Sequence, residues 1–224
     1  MKTKNRSMDQ IVEEQVKRWE LLHSGKVEKE EDVTVITVSR EPGSGGTELA
    51  RQLAGKLGFD YFHKGIILKM AESADISDQV IKTLDERAMN VLENWVESLV
   101  DARHLWPDQY LKHFMKIMGV IAKHGKAVIV GRGAHFALPP ENLFRVMVIA
   151  PEKNRVKSIA GKFDISDEEA GQRMALTQSD RKAFIRKLFN ADINDPLNYD
   201  LVINTEILEI EAGIGAIIGG LGKK

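Results

Sequence analysis

The residues best equipped for chemistry stand together at 40–51, REPGSGGTELAR. Gly43, Gly45 and Gly46 let consecutive backbone amides turn into a concavity, and a helix starting after them would bring its positive N-terminal end to the same place. That is the chemistry of a phosphate cradle. Thr47, at the start of the expected helix, carries a hydroxyl that can ligate a phosphate-bound magnesium ion. Against the pattern GxxxxGK[ST], Arg40 falls on the first glycine, Gly45 on the last, Gly46 on the lysine and Thr47 on the hydroxyl residue. The lysine is absent. Arg40 and Arg51 are the cations placed to compensate. The plain alternative is a strand-to-helix connection whose glycines serve close packing and whose arginines are solvated.

A second concentration of charge lies at Ser179–Asn190 (SDRKAFIRKLFN), where Arg181, Lys182, Arg186 and Lys187 gather along a helical pattern. Asp180 there can orient an arginine, assist a magnesium shell or cap a helix start. Alone, such a segment also reads as a solvated basic face. His63 and Lys64 follow the second expected strand and could meet a base or a phosphate, or be ordinary loop residues. The six histidines form no HExxH or paired metal spacing, so the sequence offers no protein-held transition metal.

These residues need a scaffold, and the apolar pattern supplies one. Residues 33–38 (VTVITV) are β-branched throughout, as in a parallel strand buried on both faces. Leu49, Ala50, Leu53, Ala54 and Leu57 mark the helix after the glycine loop, with Gly58 where a left-handed C-cap belongs. Short apolar runs at Ala127–Val130, Phe144–Ala150 and Leu201–Ile203 alternate with helical patterns, which predicts an α/β fold with a parallel sheet and crossover helices. A long helical insertion carries Ile81, Leu84, Ala88, Val91, Trp95 and Leu99, then Tyr110, Phe114, Met118 and Ile121, at three-and-four spacing. Ser7 and Gln10 form a capping-box signature for an N-terminal helix with Ile11, Val12, Val16, Trp19 and Leu22 on one face. The charged stretch 26–32 reads as a linker, and 207–221 as a C-terminal core helix.

Composition narrows the function. Lys and Arg total 32 against 33 Asp and Glu, a balance that argues against a dedicated nucleic-acid binder. No cysteine is present, which excludes disulfides and thiolate zinc sites. The basic N-terminus lacks the apolar region of a signal peptide, and no run approaches a membrane span, so a cytoplasmic protein without membrane partners is expected.

With SREPGSGGTELARQLA as its most specific part, and VIVGRGAHFALP and NYDLVINT at corresponding places, the chain from Val33 onward resembles the cytidylate kinase-like proteins. The resemblance implies a P-loop fold of the nucleoside monophosphate kinase type: a central five-stranded parallel sheet flanked by helices, a helical insertion at about 65–125 and a lid at about 178–195. Residues 1–32 lie before that domain. It further implies that Gly43, Ser44, Gly45, Gly46 and Thr47 hold the donor phosphates, and Arg40, by its place before the loop, is expected to join them. Arg132 matches an acceptor-phosphate arginine, with Gly133 where relatives have aspartate. His63 and Lys64 lie in the acceptor region, where His63 replaces an expected aspartate, and Arg181 and Arg186 are the lid cations.

The expected reaction moves the γ-phosphoryl group of ATP, with Mg2+, to a nucleoside monophosphate, CMP or dCMP first. Arg132, Arg181 and Arg186 would stabilise the transferring group. The partners are then a nucleoside triphosphate and a small phosphorylated acceptor, and the insertion or the N-terminal helix suits a homo-oligomer. A nucleotide-binding regulatory module of the same fold is the second reading, motivated by Gly46 and Gly133. A Rossmann dehydrogenase is weaker, because GSGG lacks GxGxxG spacing.

Overall fold

β-branched residues with no polar partner to seek are driven into a sheet, and Val35–Arg40 forms its central strand (β1), buried from Val35 to Ser39. The computed structural model describes residues 7–23, 35–72, 74–84, 89–90, 93–94, 96, 109–138 and 143–222. Around β1 lie β2 (Asp60–His63), β3 (Ala127–Val130), β4 (Leu143–Ile149) and β5 (Leu201–Asn204) in the order β2-β3-β1-β4-β5. β1 pairs in parallel with β3 and β4, and β4 with β5. The α/β class, with five parallel strands flanked by helices, is the expected one.

Register decides where the loop sits. Val38 is opposite Val130 and Arg40 is opposite Val148. The chain therefore leaves β1 beside the end of β3, which turns into Gly131. Neighbouring strands on either side of β1 belong to different crossovers, the arrangement that opens a crevice beyond the carboxyl ends of a parallel sheet.

By contacts the chain divides into two compact units, Met1–Val33 with Phe62–Gly125, and Thr34–Tyr61 with Lys126–Lys224. In the second, α2 (Gly46–Leu57) buries Leu49, Ala50, Leu53 and Ala54 against the sheet. It ends at Gly58, whose φ of 67° and N–H bond to the Ala54 carbonyl make the left-handed cap that the sequence predicts. Beyond β3, α6 is the single turn Ala134–Ala137. α7 (Glu152–Phe163) and α8 (Asp167–Phe189) form a hairpin with its own small core of Ile159, Ala160, Ala170 and Met174. Helix α9 (Ile210–Leu221) returns to α2, burying Ile214 and Ile217; the C-terminal helix thus starts three residues later than its apolar pattern, after a turn at 205–207.

In the first unit, α1 (Met8–His23) begins with the expected reciprocal cap: Gln10 N–H donates to Ser7 Oγ at 3.2 Å and Ser7 N–H to Gln10 Oε1 at 2.9 Å. Its buried Val12, Val16 and Trp19 face α3 (Lys64–Glu72), and Trp19 stacks on His124 with centroids 4.3 Å apart. α4 (Ala74–Ile81) and α5 (Gln109–His124) also belong to this unit, with Phe114, Met118 and Ile121 buried. The helix that the sequence sets before the domain thus belongs with the insertion. Ala88, Val91, Trp95 and Leu99, and the linker at 26–32, lie outside the described residues. Among the described residues no helix is long and apolar enough to cross a membrane.

Leu53 is fully buried where α2 meets the sheet. Leu53→Ala is expected to lower the unfolding free energy by about 2–5 kcal/mol, read from urea denaturation. A loss well under 1 kcal/mol would show that this contact is not central to the core.

Candidate functional site

The loop between β1 and α2 is shaped by two left-handed glycines, Gly43 (φ 81°) and Gly45 (φ 76°), of which Gly45 is the N-cap of α2. Its carbonyl accepts from Glu48 N at 2.9 Å and Leu49 N at 3.0 Å, which starts the helix and leaves first-turn amides directed outward. The loop is braced from below. Ser44, only 3% exposed, turns its hydroxyl inward to the Glu41 and Val148 carbonyls at 3.0 and 3.2 Å. Thr205 donates to the Ser44 carbonyl at 2.8 Å, with the Ile149 carbonyl at 3.1 Å as the alternative acceptor. Ser44 is therefore committed inside the fold by its side chain and by its main chain, whose N–H donates to the Glu41 carbonyl at 3.3 Å. Glu41 accepts from Ala150 N at 3.1 Å and meets Arg155 at 3.3 Å, while a Cβ on Gly43 would fall on the Arg155 main chain.

Three arginines collect at this edge. Arg40 Nε donates to Thr47 Oγ1 at 3.3 Å, and its guanidinium lies so close over Gly131 that a Cβ there would fall on it. Arg181, on α8, donates to the Arg40 carbonyl at 2.8 Å. Arg132 has its guanidinium 5.7 Å from the centroid of Phe184, also on α8. Burial, and then the like charges of Arg181 and Arg132, push Arg40 down to about 10, and burial lowers Arg181. All three remain cationic at neutral pH.

Arg132 stands in a left-handed conformation (φ 59°) between Gly131 (φ 80°) and Gly133 (φ 65°). For a residue with a Cβ this costs roughly 1–2 kcal/mol, and strain of this kind concentrates at functional sites. Gly133 has a further reason to be glycine: a Cβ would lie 2.5 Å from the Phe189 ring and 2.7 Å from Ile185 Cδ1. An aspartate there would stand at a strained φ and displace the Phe189 ring or the Ile185 methyl.

The remaining candidates distribute as follows. Arg186 is exposed, about 140° round the helix from Arg181, and lines a separate groove with Lys182 and residues 190–194. Asp180 is not at a helix start: α8 begins at Asp167, capped by Ser166 accepting from Glu169 N at 3.2 Å, so the capping reading of Asp180 is corrected. Within 178–195, Ile185 and Leu188 are buried anchors of the same helix. Arg51 is engaged by Glu48, Nε to Oε2 at 3.0 Å, and its charge is committed there. His63 and Lys64 belong to the first unit, where His63 Nδ1 accepts from Gly65 N at 3.0 Å.

The composition of this edge fits the cytidylate kinase-like family, whose model matches residues 35–207. The chain belongs to that family. It is 30% identical to the cytidylate kinase of Pyrococcus horikoshii over 188 residues, 84% of this chain and 87% of that one. It is 31% identical to the cytidylate kinase of Thermococcus kodakarensis over 172 residues, 76% and 79% of the two chains. Among solved structures, an uncharacterised protein from Eubacterium ventriosum shares the fold at a TM-score of 0.68 and 19% identity, over 86% of this chain and 99% of that one. Members of the cytidylate kinase-like family thus need not carry a lysine at position 46.

Sequence reasoning missed the layer behind Arg40. Ser39 Oγ lies 3.3 Å from His135 Nδ1, and the His135 ring packs on Phe136 and Tyr199 with centroids 3.8 and 4.9 Å away. Tyr199 donates to the Ile193 carbonyl at 2.6 Å. VIVGRGAHFALP and NYDLVINT pointed to these residues without saying that they meet.

Burial, with a smaller contribution from Arg145, holds His135 down to about 3 from 6.5. Between those two values the unfolded chain binds a proton that the folded one refuses, so stability is complete above about 6.5 and falls as pH drops toward 3. His135→Gln should flatten the dependence of the denaturation midpoint on pH between 6 and 4. Parallel curves for the two proteins would show that His135 is not the group responsible.

Proposed function

We propose that this chain is a nucleotide kinase that transfers the γ-phosphoryl group of ATP to a nucleoside monophosphate, CMP or dCMP foremost. The observation that carries the reading is the gathering of Arg40, Arg132 and Arg181 beside a glycine loop at the carboxyl edge of a parallel sheet. A guanidinium set beside two others of like charge suits a polyanion, and phosphoryl transfer is served mainly by positioning and by charge placed around the equatorial oxygens. Family membership supports the same chemistry.

The loop amides and the start of α2 would hold the donor phosphates, with Arg40 beside them. Thr47, exposed at that start, fits as the protein ligand to nucleotide-bound magnesium. Among the described residues no cluster of three His, Asp or Glu could hold a metal by itself. Magnesium would neutralise charge on the transferring phosphates.

The acceptor is assigned as phosphorylated because an alcohol acceptor calls for a base to receive its proton. The loop's carboxylates are engaged, Glu41 by Ala150 N and Arg155, Glu48 by Arg51 and Gln52. Arg132 would take the acceptor phosphate, Arg181 the transferring group and Arg186 the outer approach. A reaction confined to small metabolites in the cytoplasm fits the balanced charge.

The second reading is a nucleotide-binding module without transfer, favoured by the absence of a side chain at Gly46. Steady-state assays with MgATP and a panel of CMP, dCMP, UMP, AMP and GMP separate the two. The kinase reading expects fastest turnover with CMP or dCMP, and a fall in kcat/KM of about 10²–10³-fold for Thr47→Ala and for Arg132→Ala. Turnover untouched by both substitutions would overturn the site, and tight ATP binding with no transfer to any acceptor would favour the module.

A further inference from the structure

The two departures of this loop from an orthodox phosphate loop, an arginine for the first glycine and a glycine for the lysine, meet at one point in space. A Cβ built on Gly46 would lie 2.6 Å from Arg40 Cβ and 2.8 Å from Val148 Cβ. Both obstacles are the first atoms of their side chains, fixed to β1 and β4, which are paired with Arg40 opposite Val148. Neither can rotate away. No lysine, nor any other side chain, fits at position 46 while positions 40 and 148 carry side chains.

The far end of the same arginine has a matching requirement. Its guanidinium occupies the space above Gly131 that a Cβ would fill, and its Nε holds Thr47 Oγ1 at 3.3 Å. Two glycines in separate segments, 46 and 131, thus make room for one side chain at its root and at its tip. Among the described residues the ion pairs around the loop leave it out: Arg155 takes Glu41 and Glu48 takes Arg51. The cations Arg181 and Arg132 oppose its charge, and the Tyr61 phenol favours it. Such a guanidinium is stabilised by an anion and by little else nearby.

We infer that Arg40 replaces the P-loop lysine as the donor-phosphate cation, carried by the strand before the loop instead of by the helix after it. The inference rests on the phosphate-loop reading given above and deepens it. A strand-borne cation has less freedom than a lysine on four methylenes, because its stem is fixed against Val148 and its planar head against Gly131. It reaches the donor as a fork with several N–H donors, so it can span two phosphate oxygens where an ammonium offers a single point charge.

The test measures turnover and MgATP affinity for the wild-type chain, Arg40→Ala, Arg40→Met and Gly46→Lys, with and without added methylguanidinium. Arg40→Met keeps the stem and removes the charge, so it guards against a variant that merely misfolds. Both Arg40 variants are expected to lose about 10²–10³-fold in turnover, with kcat falling more than KM rises. Arg40→Ala alone should recover saturably with methylguanidinium, which can enter the space between Gly131 and Thr47. Gly46→Lys should lower the melting temperature and gain nothing from the additive.

Wild-type turnover in Arg40→Met, or an Arg40→Ala loss that methylguanidinium does not relieve while its melting temperature stays normal, would overturn the inference and leave the phosphate-loop reading standing. If the wild-type chain binds MgATP without transferring to any acceptor, affinity becomes the readout. Weakened binding in both Arg40 variants, restored in Arg40→Ala by methylguanidinium, then supports the inference, and unchanged affinity overturns it. Failure of the wild-type chain to bind MgATP at all would overturn the phosphate-loop reading and the inference with it.

Discussion

The site depends on a single guanidinium held at the end of the central strand. Arg40 lies between the Thr47 hydroxyl and the bare face of Gly131, and its own carbonyl is held by Arg181. Once that side chain is in place, the surrounding residues have few choices. Position 46 must lack a Cβ, one at position 131 would stand at a strained φ and displace the guanidinium, and the helix bearing Arg181 lies alongside. The braces below the loop, from Ser44, Thr205 and the Glu41–Arg155 pair, keep the strand end and the helix start in register. Each is a polar group satisfied inside the fold, so the outward amides of α2 are left for a ligand.

Charge is distributed with the same economy. The loop's carboxylates are already paired, and the cations at the sheet edge face one another. Like charges gathered in partly buried surroundings cost folding stability. The apolar support for that cost lies immediately behind, in the cluster that joins the sheet to α2 and α9. Preorganised charge of this kind needs no rearrangement when a polyanion arrives, which is what makes it useful for catalysis.

Much of this was legible in the sequence because it is local. The run 127–130, the helix at 46–57 with its Gly58 cap, and the Ser7–Gln10 box depend on residues a few positions apart, and each appears where its pattern placed it. The rest depends on residues far apart in the chain. Gly46 reads as a missing lysine until Arg40 and Val148 are seen to fill the space, and Gly133 reads as a missing aspartate until Phe189 and Ile185 do the same. Ser44 reads as a loop hydroxyl, yet strand β4 turns it inward. Asp180 resembles a helix start because α8 is polar along most of its length, and the true start is set by Ser166. The kinship of the N-terminal helix with the insertion has no local signature, since it rests on Trp19 meeting His124 and Phe62.

The obstruction at position 46 also bears on how such a loop can change over generations. A lysine introduced there meets two fixed Cβ atoms, and replacing Arg40 by glycine removes only one of them while taking away a cation. A side chain can therefore enter position 46 of this chain only together with changes at 40 and 148 or a shift of the strands that carry them, so the glycine is held there by its neighbours.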